Sequence, residues 1–230
     1  IFAQDWRREA GVWLVTLAPE LPGAAETVSI LRGNRVVVSA GHSLATYEQA
    51  QMAFRAGITC VTHLFNAQPP LAHREPGLTG AALGSSQVFT GIIADGVHAH
   101  PAMVKLAWRC KQDKLILVTD AVSALGMPPG KYSVGDSTVL VDDSSVRLTD
   151  GTLAGSNATS ERCIRNLASW VGCSFSNAAA AMSSAPANLL GLPGKGKISP
   201  GMDADLTFLT PQGEVAATIV RGELLFNRFA

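Results

Sequence analysis

The chain has 230 residues, 47% of them apolar and 16% charged, and its 18 basic side chains balance 18 acidic ones. That length suits one large domain or two small ones around a sizeable core. Zero net charge gives no support to a partner recruited by bulk charge, such as nucleic acid or a membrane surface. No run reaches the ~18 apolar residues of a membrane span, and the opening residues are not expected to be a secretory leader, lacking a charged-then-apolar pattern.

In chain order, Gly11 to Leu17 is expected as the first strand, followed by Ala18-Pro19-Glu20. Thr27 to Arg32 has helix composition and stops at Gly33-Asn34. The run Val36-Val37-Val38-Ser39-Ala40-Gly41-His42-Ser43 is apolar and β-branched and ends in a histidine. Ile58-Thr59-Cys60-Val61-Thr62-His63 repeats that device, and Ala45 to Ala56 between them predicts a helix stopped by Gly57. A long polar loop from Ala67 to Gly80 is expected next; loops of that length in compact domains are usually functional. Val88 to Ala94 predicts a strand ending in Asp95-Gly96-Val97-His98, Pro101 to Cys110 a helix opened by proline, and Lys114 to Thr119 a strand ending in Asp120. Continuous apolar strands joined by helices predict a parallel sheet covered on both faces, with function at the carboxyl ends of its strands.

Beyond Asp120 the pattern becomes a β excursion at about 132–149, with short alternating strands. The Gly151 to Asn157 turn follows, then helices over roughly Thr159 to Val171 and Ser176 to Leu190. Strands return over 205–209, 214–220 and 223–226. The cysteines (Cys60, Cys110, Cys163, Cys173) lack CxxC spacing and are expected as buried thiols of a reducing, cytoplasmic compartment. Because the sequence opens at Ile1 without methionine, a processed product or fragment is expected.

The polar tips carry the chemistry. Adjacent strands lie about 4.8 Å apart, so His42 and His63 fall side by side as a candidate divalent-metal site. Asp120 stands where a carboxylate could take a proton from an activated water. His98 is either a loop histidine bonded to backbone or a substrate contact, and His73 and His100 are expected to be exposed. Arg74 could grip a phosphate or carboxylate as a fork. The Gly155-Ser156 turn before a helix could offer N–H groups to an anion. Glu20 reads as an anchor for its turn in preference to a ligand.

Several segments recur together in one order: Thr16-Leu17-Ala18-Pro19-Glu20, Ser39-Ala40-Gly41-His42-Ser43, Thr62-His63-Leu64-Phe65-Asn66-Ala67, Arg74-Glu75-Pro76-Gly77-Leu78, Ile93-Ala94-Asp95-Gly96-Val97-His98, Val118-Thr119-Asp120-Ala121 and Leu153-Ala154-Gly155-Ser156. From about Trp13 to Arg221 the chain resembles the N-acetylglucosamine-6-phosphate deacetylase family of the amidohydrolase superfamily. The resemblance implies an α/β fold: a (β/α)8 TIM-type barrel, of which strands four to eight are present here, with part of a small β-sandwich. The corresponding domains are 1–195 and 196–230. It implies a divalent metal on His42 and His63, zinc first and iron(II), manganese(II) or cobalt(II) as alternatives, and Asp120 as the catalytic acid–base. It assigns Asn66, Ala67, Arg74, His98, Leu153, Ala154 and Gly155 to substrate, with Arg74 reaching the neighbouring active site of a homodimer.

The activity so implied is hydrolysis of N-acetyl-D-glucosamine 6-phosphate to D-glucosamine 6-phosphate and acetate, in amino-sugar catabolism and recycling. The alternatives are the galactosamine isomer as substrate, or an inactive fragment. The last arises because the family's third metal ligand, a glutamate in a His-Leu-Glu-Gly-Pro stretch, has no counterpart in this sequence. Barrel strands one to three and a histidine that polarises the substrate carbonyl also have none, and the chain is therefore expected to be the C-terminal part of a longer enzyme.

Overall fold

A computed structural model describes residues 2–229. Two compact units divide the chain: Ile1–Ile92 with Lys105–Ile116 and Leu189–Gly191, and Ile93–Val104 with Leu117–Asn188 and Leu192–Ala230.

The first unit is built on strands β1 (Leu14–Leu17), β2 (Val37–Ala40), β3 (Cys60–Val61), β4 (Phe89–Ile92) and the start of β5 (Leu115–Leu117), which neighbour one another in sequence order. The first three pairs are parallel, with Leu14 opposite Val37, Ser39 opposite Cys60 and Cys60 opposite Phe89. Each return runs through a helix: α1 (Ala24–Gly33), α2 (Tyr47–Ala56), α3 (Gly77–Gly84) and α4 (Pro101–Lys111). Strands β3, β4 and β5 are buried throughout, as expected of a parallel sheet covered on both faces, whereas β1 lies at the edge and leaves Leu14 exposed. Helix α1 buries Ala24, Val28 and Leu31, spaced four and three apart on one stripe. In α2, Thr46 accepts from the Gln49 N–H while the Gln49 side chain accepts from the Thr46 N–H, and Gly57 ends the helix at φ 117°.

Here the polar loop is shorter than the expected Ala67 to Gly80, because α3 begins at Gly77. The N–H of Leu78 bonds the Ala45 carbonyl at 3.2 Å, which starts the helix early. Its far end is held by Lys111, whose buried ammonium donates to the carbonyls of Ala82 (2.8 Å) and Ser85.

In the second unit, β6 (Gly130–Val134), β7 (Ser137–Val141) and β8 (Val146–Leu148) form an antiparallel meander, which is the expected excursion. It closes on a small core of Ala124, Val139, Val141 and Val146, with Val122 and Tyr132 packed against it. Helix α5 (Ser160–Val171) buries Cys163, Ile164, Leu167 and Ala168. The single helix expected over Ser176 to Leu190 is two, α6 (Phe175–Ala180) and α7 (Ser184–Leu190). Pro186 explains the break: it offers no N–H to the Met182 carbonyl and its ring would clash there, so the chain restarts with Pro186 in the first turn of α7. Strands β9 (Leu206–Leu209), β10 (Val215–Val220) and β11 (Glu223–Asn227) make an antiparallel sheet in the order β11-β10-β9, with Leu224, Leu225 and Phe226 exposed.

The cysteine expectation needs correction: Cys60 and Cys163 are buried, Cys173 is half-buried and Cys110 is exposed. Burial pushes the Cys60 and Cys163 thiols up to about 11. Among the described residues, no helix is long and apolar enough to cross a membrane.

Candidate active site

In the first unit the two histidines lie just beyond neighbouring strand tips. His42 is carried past the end of β2 on Gly41, where a Cβ would come 2.2 Å from the Thr62 Cγ2, so any side chain there would force Thr62 to shift. The turn after His42 is tied down from two sides. The Ser43 hydroxyl and the Leu44 N–H each donate to the Glu20 carboxylate at 2.6 Å, and the Ser43 N–H donates to the Ala67 carbonyl at 3.1 Å. Glu20 thus anchors the turn after His42, where the sequence suggests its own turn after β1.

His63 is buried, and its Nδ1 lies 3.1 Å from the Asn66 carbonyl. A carbonyl can only accept, so this contact places the ring proton on Nδ1 and makes Nε2 the acceptor nitrogen that faces His42. The Asn66 amide closes the same turn on the carbonyls of His63 and Leu64, at 3.3 and 3.1 Å. Gln68 adds a bond to the Thr62 carbonyl and accepts from Thr79 of α3. The outcome is a 2.9 Å approach between the Nε2 atoms of His42 and His63, with the rings edge-on at 80°.

Two imidazole nitrogens bound tetrahedrally to one ion at ~2.0–2.1 Å would stand about 3.3 Å apart, so this pair needs to open by only a few tenths of an ångström to take a divalent cation. The donor chemistry fits as well: neutral nitrogen ligands, one of them with its tautomer fixed by a carbonyl behind it. Among the described residues, no group of three or more His, Cys, Asp or Glu is placed to hold a metal.

Backbone geometry marks the same places. Among the described residues, eight non-glycines have positive φ, and His42 (48°), His63 (26°), Phe65 (76°), Ala67 (50°) and Asp120 (51°) are five of them. Such conformations cost about 1–3 kcal/mol each and persist only where the surroundings impose them.

Arg74 and His73 are exposed in the loop before α3, and among the described residues Arg74 makes no ion pair. Its neighbour Glu75 braces the loop by accepting from the Tyr47 N–H at 3.3 Å.

In the second unit Asp120 is exposed after β5, and the 153–156 turn docks on its backbone. The Ser156 N–H donates to the Asp120 carbonyl at 2.8 Å, the Ser156 hydroxyl to the Thr119 carbonyl, and the Val122 N–H to the Ser156 carbonyl at 3.0 Å. A Cβ on Gly155 would stand 2.7 Å from Val122 and 2.9 Å from the Asp120 carbonyl, so that turn requires glycine. Asp120 and Gly155 are therefore brought together. Ala154 and Leu153 are turned toward β8, through the Val146 carbonyl and a bridge to Arg147. The anion reading of this turn is weakened, since the Ser156 N–H is occupied and the start of α5 is capped by the Thr159 hydroxyl on the Arg162 N–H.

The reading of His98 as a loop histidine bonded to backbone is corrected: its Nδ1 meets the Asp95 carboxylate at 2.7 Å, both side chains almost fully buried. Asp95 also accepts the N–H groups of Val97 and His98, each at 2.8 Å. Burial works against its charge, but those bonds prevail and hold the carboxyl below the usual range. Sequence reasoning passed over Asp95; the signal was an acidic residue three before a histidine, across a glycine. His100 is exposed, as expected. A cavity of about 860 Å³ in this unit, lined by Ile164, Met182, Lys195, Asp205 and Phe208 among others, includes none of the expected site residues.

Parallel strands whose tips present paired imidazoles are one feature of this chain, and the chain belongs to the amidohydrolase family, whose model matches residues 6–225. It is 42% identical over 224 residues to N-acetylglucosamine-6-phosphate deacetylase of Rattus norvegicus, covering 94% of this chain and 54% of the relative. N-acetylgalactosamine-6-phosphate deacetylase of Escherichia coli O157:H7 is 36% identical over 212 residues, covering 92% and 56%. A mutant N-acetyl-D-glucosamine-6-phosphate deacetylase from Mycobacterium smegmatis, solved in complex with N-acetyl-D-glucosamine-6-phosphate, superposes with a TM-score of 0.90 at 37% identity, over 94% of this chain and 58% of that one. The chain spans about half the length of the curated relatives it matches.

Proposed function

We propose that this chain is part of a metal-dependent deacetylase that hydrolyses N-acetyl-D-glucosamine 6-phosphate to D-glucosamine 6-phosphate and acetate. The observation that carries the reading is the 2.9 Å meeting of the His42 and His63 Nε2 atoms at adjacent strand tips, in a chain of the amidohydrolase family. In this reading residues 1–195 contribute strands four to eight of a closed (β/α)8 barrel and 196–230 strands of a small β-sandwich. The protein is a cytoplasmic homodimer.

When bound on His42 and His63, a divalent ion, zinc first, supplies acidity, bringing a water's pKa toward neutrality and polarising the amide. Asp120 takes a proton from the attacking water as its oxygen bonds to the amide carbon. It then delivers that proton to the sugar nitrogen, because an amide anion is too basic to leave unprotonated. The carbon–nitrogen bond breaks, freeing acetate and the amine. The Asn66-Ala67 turn, the 153–155 turn, His98 and Arg74 hold the sugar phosphate, Arg74 reaching the neighbouring subunit's site.

The similarity to an N-acetylgalactosamine-6-phosphate deacetylase supports a second reading, in which the 4-epimer is the substrate; comparing kcat/KM on the two sugars decides. The main test is acetate release by the complete gene product with Asp120→Asn. A fall in kcat of roughly 10²- to 10⁴-fold with bound metal retained is expected. Near-normal turnover removes Asp120 from this role, and absence of both metal and turnover in the unaltered protein removes the deacetylase reading.

A further inference from the structure

Beyond these assignments, we propose that Asn66 is the positioning residue of His63: its side chain locks the 63–66 turn so that its own backbone carbonyl meets the ring at Nδ1 and Nε2 is aimed beside His42, where a divalent cation binds. That a cation binds there rests on the metal-dependent reading proposed above; the geometry of the turn is independent of it. The contacts all run from Asn66 back toward the histidine. The Asn66 N–H donates to the His63 carbonyl at 2.9 Å. Its amide nitrogen donates to the carbonyls of His63 and Leu64, at 3.3 and 3.1 Å. Its carbonyl accepts from the His63 Nδ1–H at 3.1 Å. An amide NH2 carries two hydrogens, so both are spent inside the turn and neither is left for a ligand.

Such a lock is needed because the backbone here is not relaxed. His63, Phe65 and Ala67 have φ of 26°, 76° and 50°, which residues with a side chain hold only where their surroundings impose it. The flanks of the turn are fixed from neighbouring elements. Gln68 donates to the Thr62 carbonyl at 3.1 Å and accepts from the buried Thr79 hydroxyl of α3 at 2.9 Å. The Leu64 N–H donates to the Gly91 carbonyl of β4 at 2.7 Å. The Ala67 carbonyl takes the N–H of Ser43, next to His42, at 3.1 Å. One turn therefore stands behind both imidazoles, and the Asn66 amide closes the span between its anchors.

Asn66→Ala and Asn66→Asp, made in the complete gene product, test this by zinc affinity in a chelator competition, at a temperature where circular dichroism shows each variant folded. Both variants keep the backbone carbonyl and lose the amide donors. In the aspartate an oxygen would face the two carbonyls in place of the NH2 and repel them. The expected result is a zinc Kd raised roughly 10- to 100-fold in both, as for a group that orients a ligand from behind. In the metal-free variants, ¹⁵N NMR should show the His63 proton divided between Nδ1 and Nε2 instead of held on Nδ1. A change that merely lowered global stability would leave Kd unmoved, because a protein that stays folded binds with its folded-state affinity.

Unchanged zinc affinity in Asn66→Ala would overturn the proposal, with or without a raised KM for the sugar phosphate. Tighter zinc binding by Asn66→Asp would overturn it too, since that is the mark of a bystander whose new charge attracts the cation. If neither variant folds, the unaltered protein decides: a His63 proton on Nε2 in its metal-free, neutral ring refutes the lock, and one on Nδ1 upholds it. If the unaltered protein takes up no zinc, the metal-dependent reading fails and the cation half of this inference with it, while the His63 tautomer in the variants still judges the role of Asn66.

Discussion

Lys111 offers a quantitative test of how α3, and with it the end of the Arg74 loop, is held. Its ammonium is buried, with the carbonyls of Ala82 and Ser85 as its acceptors, and burial brings its pKa from 10.5 down to about 8. Between those two values the unfolded chain binds the proton and the folded chain releases it. Stability contributed by this group therefore rises with pH across the window, and the penalty of the buried charge is complete below about 8. Worked through the linkage relation, the gain from pH 7 to pH 9.5 is about 2 kcal/mol. Cys60 and Cys163 act in the opposite sense. Their folded values of about 11 lie above the ordinary 9.0, so their contribution is lost as pH rises from 9 through 11. Comparing wild type with Lys111→Met cancels that background. Denaturant titrations of both proteins at pH 7 and 9.5 should show the stability difference, wild type minus variant, shifting by about 2 kcal/mol in favour of wild type. A difference that stays constant with pH would refute the assignment of a buried, charge-penalised lysine.

Gly41→Ala places a methyl 2.2 Å from the Thr62 Cγ2. A loss of about 1–3 kcal/mol by chemical denaturation is expected, partly restored in the double variant with Thr62→Ser, which lacks that carbon. Glu20→Gln replaces one of the two acceptor oxygens that hold Ser43 and Leu44. It should weaken metal binding roughly 10-fold in a competition titration, as expected of a group that supports a ligand from behind, with little change in thermal stability.

Much of this architecture was legible because each level of the sequence pointed the same way. Val36 to Ala40 and Ile58 to Val61 are β-branched and apolar, the helix between them carries its own start and stop signals at Thr46 and Gly57, and parallel pairing then sets His42 beside His63. What was not legible depended on contacts distant in the chain or on a local rule outvoted. Gly77 reads as loop, yet its helix starts because Leu78 finds the Ala45 carbonyl. Ser176 to Leu190 has helix composition, but Pro186 splits it. Cys110 lies in an apolar-looking helix yet is exposed, since composition alone does not say which side of α4 meets solvent. Asp95 escaped notice because an aspartate before glycine is ordinary turn chemistry; only its burial with His98 distinguishes it.

The left-handed backbone at His42, His63 and Asp120 bears on how this molecule ages. Each of these residues would relax to a commoner shape as soon as its neighbours gave way. On warming, the first change expected is therefore local: the imidazoles part while circular dichroism still reads as native, and a site that melts together with the whole fold would refute this.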